Sequence, residues 1–406
     1  MSDTRTDAVS IWRRQRKNWR LLSLRSIFNR FLQNLTVGYT SIYINQLGAS
    51  SLQLGYISSI ATIGETLISA PLGWLQDKYS LRKIFLLGTV VPLVVSFLFA
   101  SATNLAYIIP AMILASVSFH VASCLTICDV SVRNEDRSTC KGICDGAFGI
   151  PSLVAPTVAA VIIGYFGGIS VRGIRPLYWI QLIGSVLLYL LVLFSLKEIE
   201  RPPVRKSNGF IGDYQEVFKD GKHLKRWILF SLVGSFSFHM MLPFTQLYAF
   251  QVKGADQYVV GLMTSAGMLV QAFLSPMLGR VADRLGRKRM FFMLEPVYIL
   301  SVLMLIMAPS PAFLILASAL GGFKMIAEFV ALDPLQVELV PVEHRGRWRG
   351  ILGLLGGLIA IPAPVIGGLI WDRLSPSHLL LVPVVLDLLL RIPLLMTVPE
   401  KTFGSE

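Results

Sequence analysis

Apolar residues fill this chain in blocks of roughly twenty, and short runs of charge separate the blocks. A helix needs about 20 predominantly apolar residues to cross a hydrocarbon layer about 30 Å thick. Twelve blocks meet that length, near residues 24–45, 51–73, 83–103, 105–131, 142–166, 176–197, 226–252, 257–281, 288–308, 311–336, 348–371 and 376–397. Transmembrane strands would be about half as long and would alternate polar with apolar positions, a pattern these blocks lack. The blocks predict an all-α integral membrane protein with twelve transmembrane helices.

Composition agrees, and charge adds an orientation. The chain is 54% hydrophobic and 15% charged, against about a quarter charged for a soluble domain. With the N-terminus in the cytoplasm, 30 of the 37 Lys and Arg fall in the tails and loops of that side. Four fall opposite (Arg172, Arg175, Lys253 and Arg373), and three, Arg30, Lys324 and Arg391, fall inside spans. Such asymmetry predicts a multi-pass protein of the cell membrane with both termini cytoplasmic. The +13 net charge then needs no nucleic acid; its partner is the lipid bilayer. The basic stretch IWRRQRKNWRLLSLR is expected to lie on anionic lipid, with Trp12 and Trp19 at headgroup depth. The first apolar run is too long for a cleavable signal and lacks a small-residue cleavage site.

Two stretches repeat. Residues 279–289, GRVADRLGRKR, gather five basic residues around Asp283, and residues 73–83, GWLQDKYSLRK, are a weaker copy. One offset of 206 maps Gly73 to Gly279, Asp77 to Asp283, and Arg82–Lys83 to Lys288–Arg289. A second pair, 137–156 and 345–364, aligns at an offset of 208, carrying Arg137 to Arg345 and Ala155–Pro156 to Ala363–Pro364. An internal duplication follows. It predicts a basic cytoplasmic tail over 1–23, one six-helix bundle over 24–197, a cytoplasmic linker over 198–225 with Pro202–Pro203, a second bundle over 226–397, and a short tail over 398–406. Two repeats meeting at a central site are an architecture of secondary transporters.

Over its whole length the chain resembles the major facilitator superfamily. Gly279-Arg-Val-Ala-Asp283-Arg-Leu-Gly286-Arg287-Lys288 fits that family's G-x-x-x-D-x-x-G-R-K/R loop in full. The first copy departs from it at Ser80 and Leu81. The resemblance implies two pseudo-symmetric six-helix bundles, a small-molecule substrate and a monomer. It also implies a loop gate whose aspartate and basic residues pair with neighbouring helix ends: Gly73, Asp77, Arg82, Gly279, Asp283, Arg287 and Lys288, with Asp129, Asp145, Arg137 and Arg345 among the partners. Arg133, Glu295, Asp333 and Glu338 join that cytoplasmic layer.

Ionisable groups inside a membrane are expensive, and by default functional. Arg30 and Glu65 each lie about 12–14 Å from the cytoplasmic face, counting 1.5 Å per residue, which would let them pair. Lys324 and Glu328 are four apart on one helix face, a spacing that allows an intrahelical pair. The repeat sets Gln271 against Glu65 and His120 against Glu328. With Asn34 these make the expected substrate and proton site, in which Arg30 or Lys324 holds an anionic or hydroxylated group and Glu65, Glu328 or His120 carries the proton. Asp387 and Arg391, four apart, are read as structural.

The remaining motifs narrow the function. GAFGIPSLVAP and GGLIAIPAPVIGG are similar to a degenerate antiporter motif and predict bending or close packing. The block 105–131 lacks the mid-membrane arginine of proton-driven drug exporters, and VPEKT scrambles a sugar-porter ending. The spacings of Cys124, Cys128, Cys140 and Cys144 do not suit a structural zinc turn, so neither metal nor cofactor is expected. With no Walker A loop or nucleophile elbow in the sequence, ATP is excluded as this chain's energy source and an enzyme is disfavoured. A lipid-modifying enzyme would draw on Asp145, His120 and Glu328 but has no use for matched halves, and a sensor would carry a long soluble extension. The expectation is a gradient-driven, proton-coupled transporter of a small polar or anionic solute; a proton-antiporting exporter of drugs or metabolites is the alternative.

Overall fold

A computed structural model describes residues 17–78, 81–121, 137–196, 223–340 and 344–398, with the backbone alone at 68–78, 81, 84, 117–121, 137–150, 337 and 346. Among the described residues the chain is helical throughout, without a strand. The first half comprises α1 (Lys17–Val37), α2 (Thr40–Gln46), α3 (Ser51–Lys78), α4 (Leu81–Ser101), α5 (Leu105–Val121), α6 (Arg137–Tyr165) and α7 (Val171–Ser195). The second begins with α8 (Leu224–Met241), α9 (Thr245–Gln251), α10 (Gln257–Leu285), α11 (Arg287–Met307) and α12 (Pro311–Ile326). A π-helical turn, Ala327–Leu332, continues α12 into α13 (Asp333–Glu338). Then come α14 (Arg345–Ala360), α15 (Ala363–Arg373) and α16 (Pro376–Leu386), and a second π turn, Asp387–Arg391, leads into α17 (Ile392–Met396).

Joined across their breaks, these helices make twelve spans in two six-helix bundles. The first and seventh spans break at matching places, between α1 and α2 and between α8 and α9. Seven of the described helices are long and apolar enough to cross a membrane. Side-chain oxygens start several of them: Asp256 accepts from Val259 N at 2.8 Å, and Ser170 from Gly173 N at 3.0 Å. Each satisfies a backbone donor that the helix itself leaves free.

Three differences from the sequence reading stand out. The helix of the first span already includes Lys17, where the described residues begin and seven residues before the expected 24, and residues 17–25 bury a face. Trp19 and Leu22 are sealed within the protein, and the Arg25 guanidinium lies 4.8 Å over the Phe85 ring. Trp19 is therefore a packing residue, where headgroup depth was expected; Trp12 lies outside the described residues. The sixth span starts at Val171, upstream of the expected 176. The eleventh is broken between Ala360 and Ala363, at Pro362. Residues 198–222 of the expected linker lie outside the described residues.

The ends at which α3 meets α4 and α10 meets α11 carry the repeated loops and define a basic end. There the buried apolar residues form separate clusters, Leu22, Phe85, Val192 and Leu196 in the first half and Trp227, Phe230, Phe291 and Trp348 with their neighbours in the second. At the opposite end one cluster runs through both halves, from Tyr39 and Ile42 to Phe244 and Leu379. A shared core at one end and divided cores at the other leave room for a cavity between.

Candidate functional site

Five ionisable side chains converge inside the second half. Lys324 Nζ lies 2.7 Å from Asp387 Oδ2 and 3.1 Å from both Glu295 carboxylate oxygens. Arg391 reaches Glu328 through two nitrogens, at 2.8 and 3.2 Å, and Asp387 at 3.5 Å. Glu295, Asp387 and Arg391 are nearly sealed, at 1%, 1% and 2% exposure. Taking such groups out of water costs several kcal/mol each, and here pairing and aromatic faces offset it. Tyr298 lies 4.5 Å from Lys324 Nζ, and Phe230 lies 4.5 Å from the Arg391 guanidinium. Gly234 makes the guanidinium's berth possible, since a Cβ there would come within 2.7 Å of it.

The backbone is shaped for this cluster. Glu328 sits in the first π turn; Asp387 and Arg391 bound the second. Single π turns inside α-helices insert a residue, re-aim the side chains around them, and often mark functional sites. Here two such turns, on facing spans, point acidic and basic groups at each other.

A cavity of 690 Å³ opens beside the cluster, and its described wall comes from the second half. Lys324, Glu328, Asp387 and Arg391 reach it, as do Gln271, His239, Gln246 and Thr264. His239 Nδ1 is held against Ser235 O at 2.9 Å, which turns its other ring nitrogen away from that bond. Met241, Met263, Met268 and Met325 supply much of the apolar wall.

Measured against the expected site, the structure brings Gln271, Lys324 and Glu328 together. The Lys324–Glu328 contact exists, but at 3.9 Å it is the longest of the lysine's three. Lys324 is engaged by carboxylates rather than free to hold an anion. Asp387 and Arg391, read from sequence as a local structural pair, are instead members of the cluster, and so is Glu295, which had been assigned to the loop layer. Glu295 sits eight residues into α11, about 12 Å deep at 1.5 Å per residue, the same depth argument that had singled out Glu65. In the first half Asn34 Nδ2 donates to Arg30 O at 2.8 Å and to Ser152 Oγ at 3.3 Å. Arg30 is exposed and Glu65 half-buried, and the described residues show no ion pair between those two. The side chains of His120, Asp77, Asp129, Asp145, Arg133 and Arg137 lie outside the described set.

The two halves meet away from the basic end, and they do so symmetrically. Asn45 Oδ1 accepts from Gln251 Nε2 at 2.8 Å, a bond between residues that the 206-residue offset equates. Gly55 of α3 abuts the Pro364 carbonyl, and Gly261 of α10 abuts the Pro156 carbonyl, where a Cβ would sit 2.6 Å from the oxygen. Gly55 and Gly261 are again repeat partners, as are Pro156 and Pro364. Tyr39 OH donates to Gln257 O at 2.8 Å, Asp372 accepts from Leu52 N at 3.3 Å, and Thr157 and Ser265 hydroxyls lie 3.1 Å apart. Lacking a Cβ, the two glycines let helix backbones close to contact, as small residues do in membrane bundles.

The family model described as Major Facilitator Superfamily matches residues 22–259 and 251–404. The chain belongs to that superfamily. Among similar proteins, the multi-drug resistance efflux pump PmrA of Streptococcus pneumoniae is 23% identical over 84% of this chain and 88% of its own length. The multidrug resistance protein MdtG of Salmonella paratyphi C is 21% identical over 67% and 68%. An uncharacterized MFS-type transporter of Mycobacterium tuberculosis is 31% identical over 24% of this chain, a match spanning 14% of its own length. Of solved structures, the nucleoside transporter NupG superposes with a TM-score of 0.74 at 14% identity, over 94% of this chain and 99% of that one. A bacterial homolog of the human lysosomal transporter Spinster gives 0.73 at 15%, over 93% and 95%. These structural likenesses carry the fold alone; with the family model and the apolar helices the chain is a multi-pass membrane protein of the superfamily.

The superfamily loop has a describable geometry in its second copy. Gly286 takes φ 99°, a backbone conformation that L side chains rarely adopt; this turn separates α10 from α11 and accounts for the motif's second glycine. Gly279 gives α10 close passage along the π turn, with Val330 at 3.4 Å from a would-be Cβ. Arg287 bonds Glu338 at the end of α13 and lies 3.7 Å from Asp283, whose side chain is 71% exposed. Lys288 Nζ donates to Met396 O at 2.9 Å and Val398 O at 2.7 Å. The loop therefore clasps the ends of the tenth and twelfth spans, the two that carry π turns. Of the expected partners, Glu338 takes this role, Asp333 pairs with Arg349 at 3.6 Å, and no contact of Arg345 to the loop is found among the described residues. In the first copy Arg82 donates to Leu193 O at 3.3 Å; for Gly73 the backbone alone is described.

Proposed function

We propose that the protein is a proton-coupled secondary transporter that moves a small solute across the cell membrane by alternating access, as a monomer with both termini in the cytoplasm. The observation that carries this reading is the charge count of the buried cluster. Glu295, Glu328 and Asp387 face two bases, Lys324 and Arg391, so the full set of ionised groups carries one negative charge too many. An uncompensated charge in low dielectric is neutralised most readily by taking up a proton. The three carboxylates share the two bases Lys324 and Arg391, and the cluster borders the cavity, so a proton held there can respond to what the cavity holds. In this reading the cluster is the coupling site, with Gln271 and His239 on the solute side.

The basic end is assigned to the cytoplasm by the Lys and Arg asymmetry. The contacts between halves then close the extracellular side, and the conformation is open inward. The second loop copy holds the tenth and twelfth spans together at the cytoplasmic end, so it couples gate movement to the cluster. Arg30, Asn34 and Glu65 are a second polar patch, in the first half, and are proposed to contribute to the solute side of the cavity; Asp77 and Arg82 of the weaker loop copy take the matching gate role. PmrA and MdtG are named for drug resistance and NupG for nucleosides, which leaves the solute open between drugs and nucleosides.

Glu328→Gln is the test of coupling. The variant is expected to lose accumulation of solute driven by a pH gradient across vesicles. Unchanged gradient-driven accumulation would remove Glu328 from the coupling site. At the gate, Arg287→Ala removes the contacts to Glu338 and Asp283 together and is expected to slow transport roughly 10- to 100-fold, from about 1.5–3 kcal/mol for a charge-assisted bond. Asp283→Asn, touching the more exposed partner, should slow it less; the reverse order in initial rates would contradict the clasp described above.

A further inference from the structure

The coupling reading leaves open what the solute is, and the cavity wall bears on that. Glu328 is the cluster's point of access: its side chain is 31% exposed, against 1% for Glu295 and 1% for Asp387. The two bases are turned inward. Arg391 is 3% exposed at its side chain and lies against Phe230, while Lys324, 13% exposed, is held by two buried carboxylates. A solute entering the described wall therefore meets a carboxylate first and an excess of one negative charge behind it. Among the described residues the charged groups counted with Glu328 are Lys324 on its own span, Glu295 on α11, and Asp387 and Arg391 on the twelfth. Elsewhere along the described wall stand His239 on α8, Tyr298 on α11 and the Asp333 carboxylate on α13, which pairs with Arg349, while Gln271 on α10 is neutral.

Around this carboxylate the wall is apolar and deformable. Met268 and Met325 line it beside Phe238 and Phe329. Methionine adapts its unbranched, polarizable side chain to irregular shapes, and aromatic faces attract cations. At 690 Å³ the cavity falls within the range of about 300–1,000 Å³ that takes drug-sized molecules.

Resting on the coupling role proposed above, we infer that the cavity takes a monovalent organic cation with a bulky apolar body, whose charge stands at Glu328 in place of the proton. The cluster is short of one positive charge, and either species supplies it. Binding a cation releases the proton from the carboxyl group, and binding a proton expels the cation, so the exchange is one for one at the cluster. An anion of the same shape would add to the excess charge and is excluded.

The experiment uses the full-length protein in detergent, weakly buffered with a pH indicator, and two probes of one shape and opposite charge. Tetraphenylphosphonium is expected to bind with release of about one proton per cation, and its affinity is expected to fall about tenfold per pH unit on the acid side. Tetraphenylborate is expected not to bind. Glu328→Gln should lose both cation binding and proton release, while Glu328→Asp, which keeps the charge, should retain both at altered affinity. If Glu328→Gln does not fold, the two probes on the wild type decide alone. Tetraphenylborate binding as tightly as the cation, no binding of either probe, or wild-type cation affinity in Glu328→Gln would each overturn the inference. Failure here with persisting proton-driven flux of another solute, such as uridine in vesicles, sinks the cation and spares the coupling. Cation binding without proton release, together with flux indifferent to a pH gradient, sinks the coupling itself.

Discussion

Replacing Lys324 by methionine is expected to destabilise the folded protein by about 3–5 kcal/mol, the usual consequence of removing one partner from a buried ion pair. The size follows from what is left behind. Glu295 and Asp387, both 1% exposed, would face each other across the space the ammonium filled. Arg391 still touches Asp387 at 3.5 Å but is already committed to Glu328 at 2.8 Å. Adding Asp387→Asn returns the cluster to one excess negative charge, and at least half of the lost stability should return with it. Thermal melting of the two variants in detergent checks this. A single variant that melts with the wild type would mean that the cluster is wetter than its burial implies.

The second large effect is at the opposite end. Valine at both Gly55 and Gly261 is expected to prevent the halves from closing there, because each new side chain would overlap a proline carbonyl of a facing helix, Pro364 or Pro156. Overpacking costs about 1–3 kcal/mol per site. Together the two shift the balance toward the outer-open form by at least about thirtyfold, and net transport should nearly stop. The readout is a cysteine placed at Thr264, on the cavity wall beside Gly38, with the four native cysteines replaced by serine. A membrane-impermeant maleimide applied from the side away from the basic loops should label it quickly in the double valine variant and slowly in the parent. Equal labelling in the two would show that these glycines do not set the closure.

Much of the fold is legible along the chain, because the bilayer fixes the length of each span and the duplication supplies every landmark twice. The symmetric closure was half visible: Pro156 and Pro364 had been matched by the repeat, but that their carbonyls press on Gly55 and Gly261 depends on packing between distant segments. The buried charge cluster, proposed above as the coupling site, was legible only in part. Lys324 and Glu328 stood out as intramembrane charges on one helix face. Asp387 and Arg391 were hidden by their own spacing, since a pair four residues apart on a helix satisfies itself on paper. The π turns re-aim that pair, and nothing in AEFVAL or DLLLR marks one. Glu295 was missed because the dense charge at the start of α11 drew it into the loop layer. Residues 17–25 misled in the opposite way: their arginines read as a surface tail, yet Arg25 is buried with its guanidinium over the Phe85 ring.

The central claim is that a proton held by the second half drives solute movement without ATP. Its most direct measurement is proton flux into proteoliposomes of the purified protein carrying an entrapped pH dye, after a pH gradient is imposed and tetraphenylphosphonium or uridine is added. The account predicts a solute-dependent collapse of the gradient by wild-type protein for at least one of the two, and none by Glu328→Gln. Solute movement that proceeds at the same rate and to the same extent with the gradient present or dissipated would contradict it.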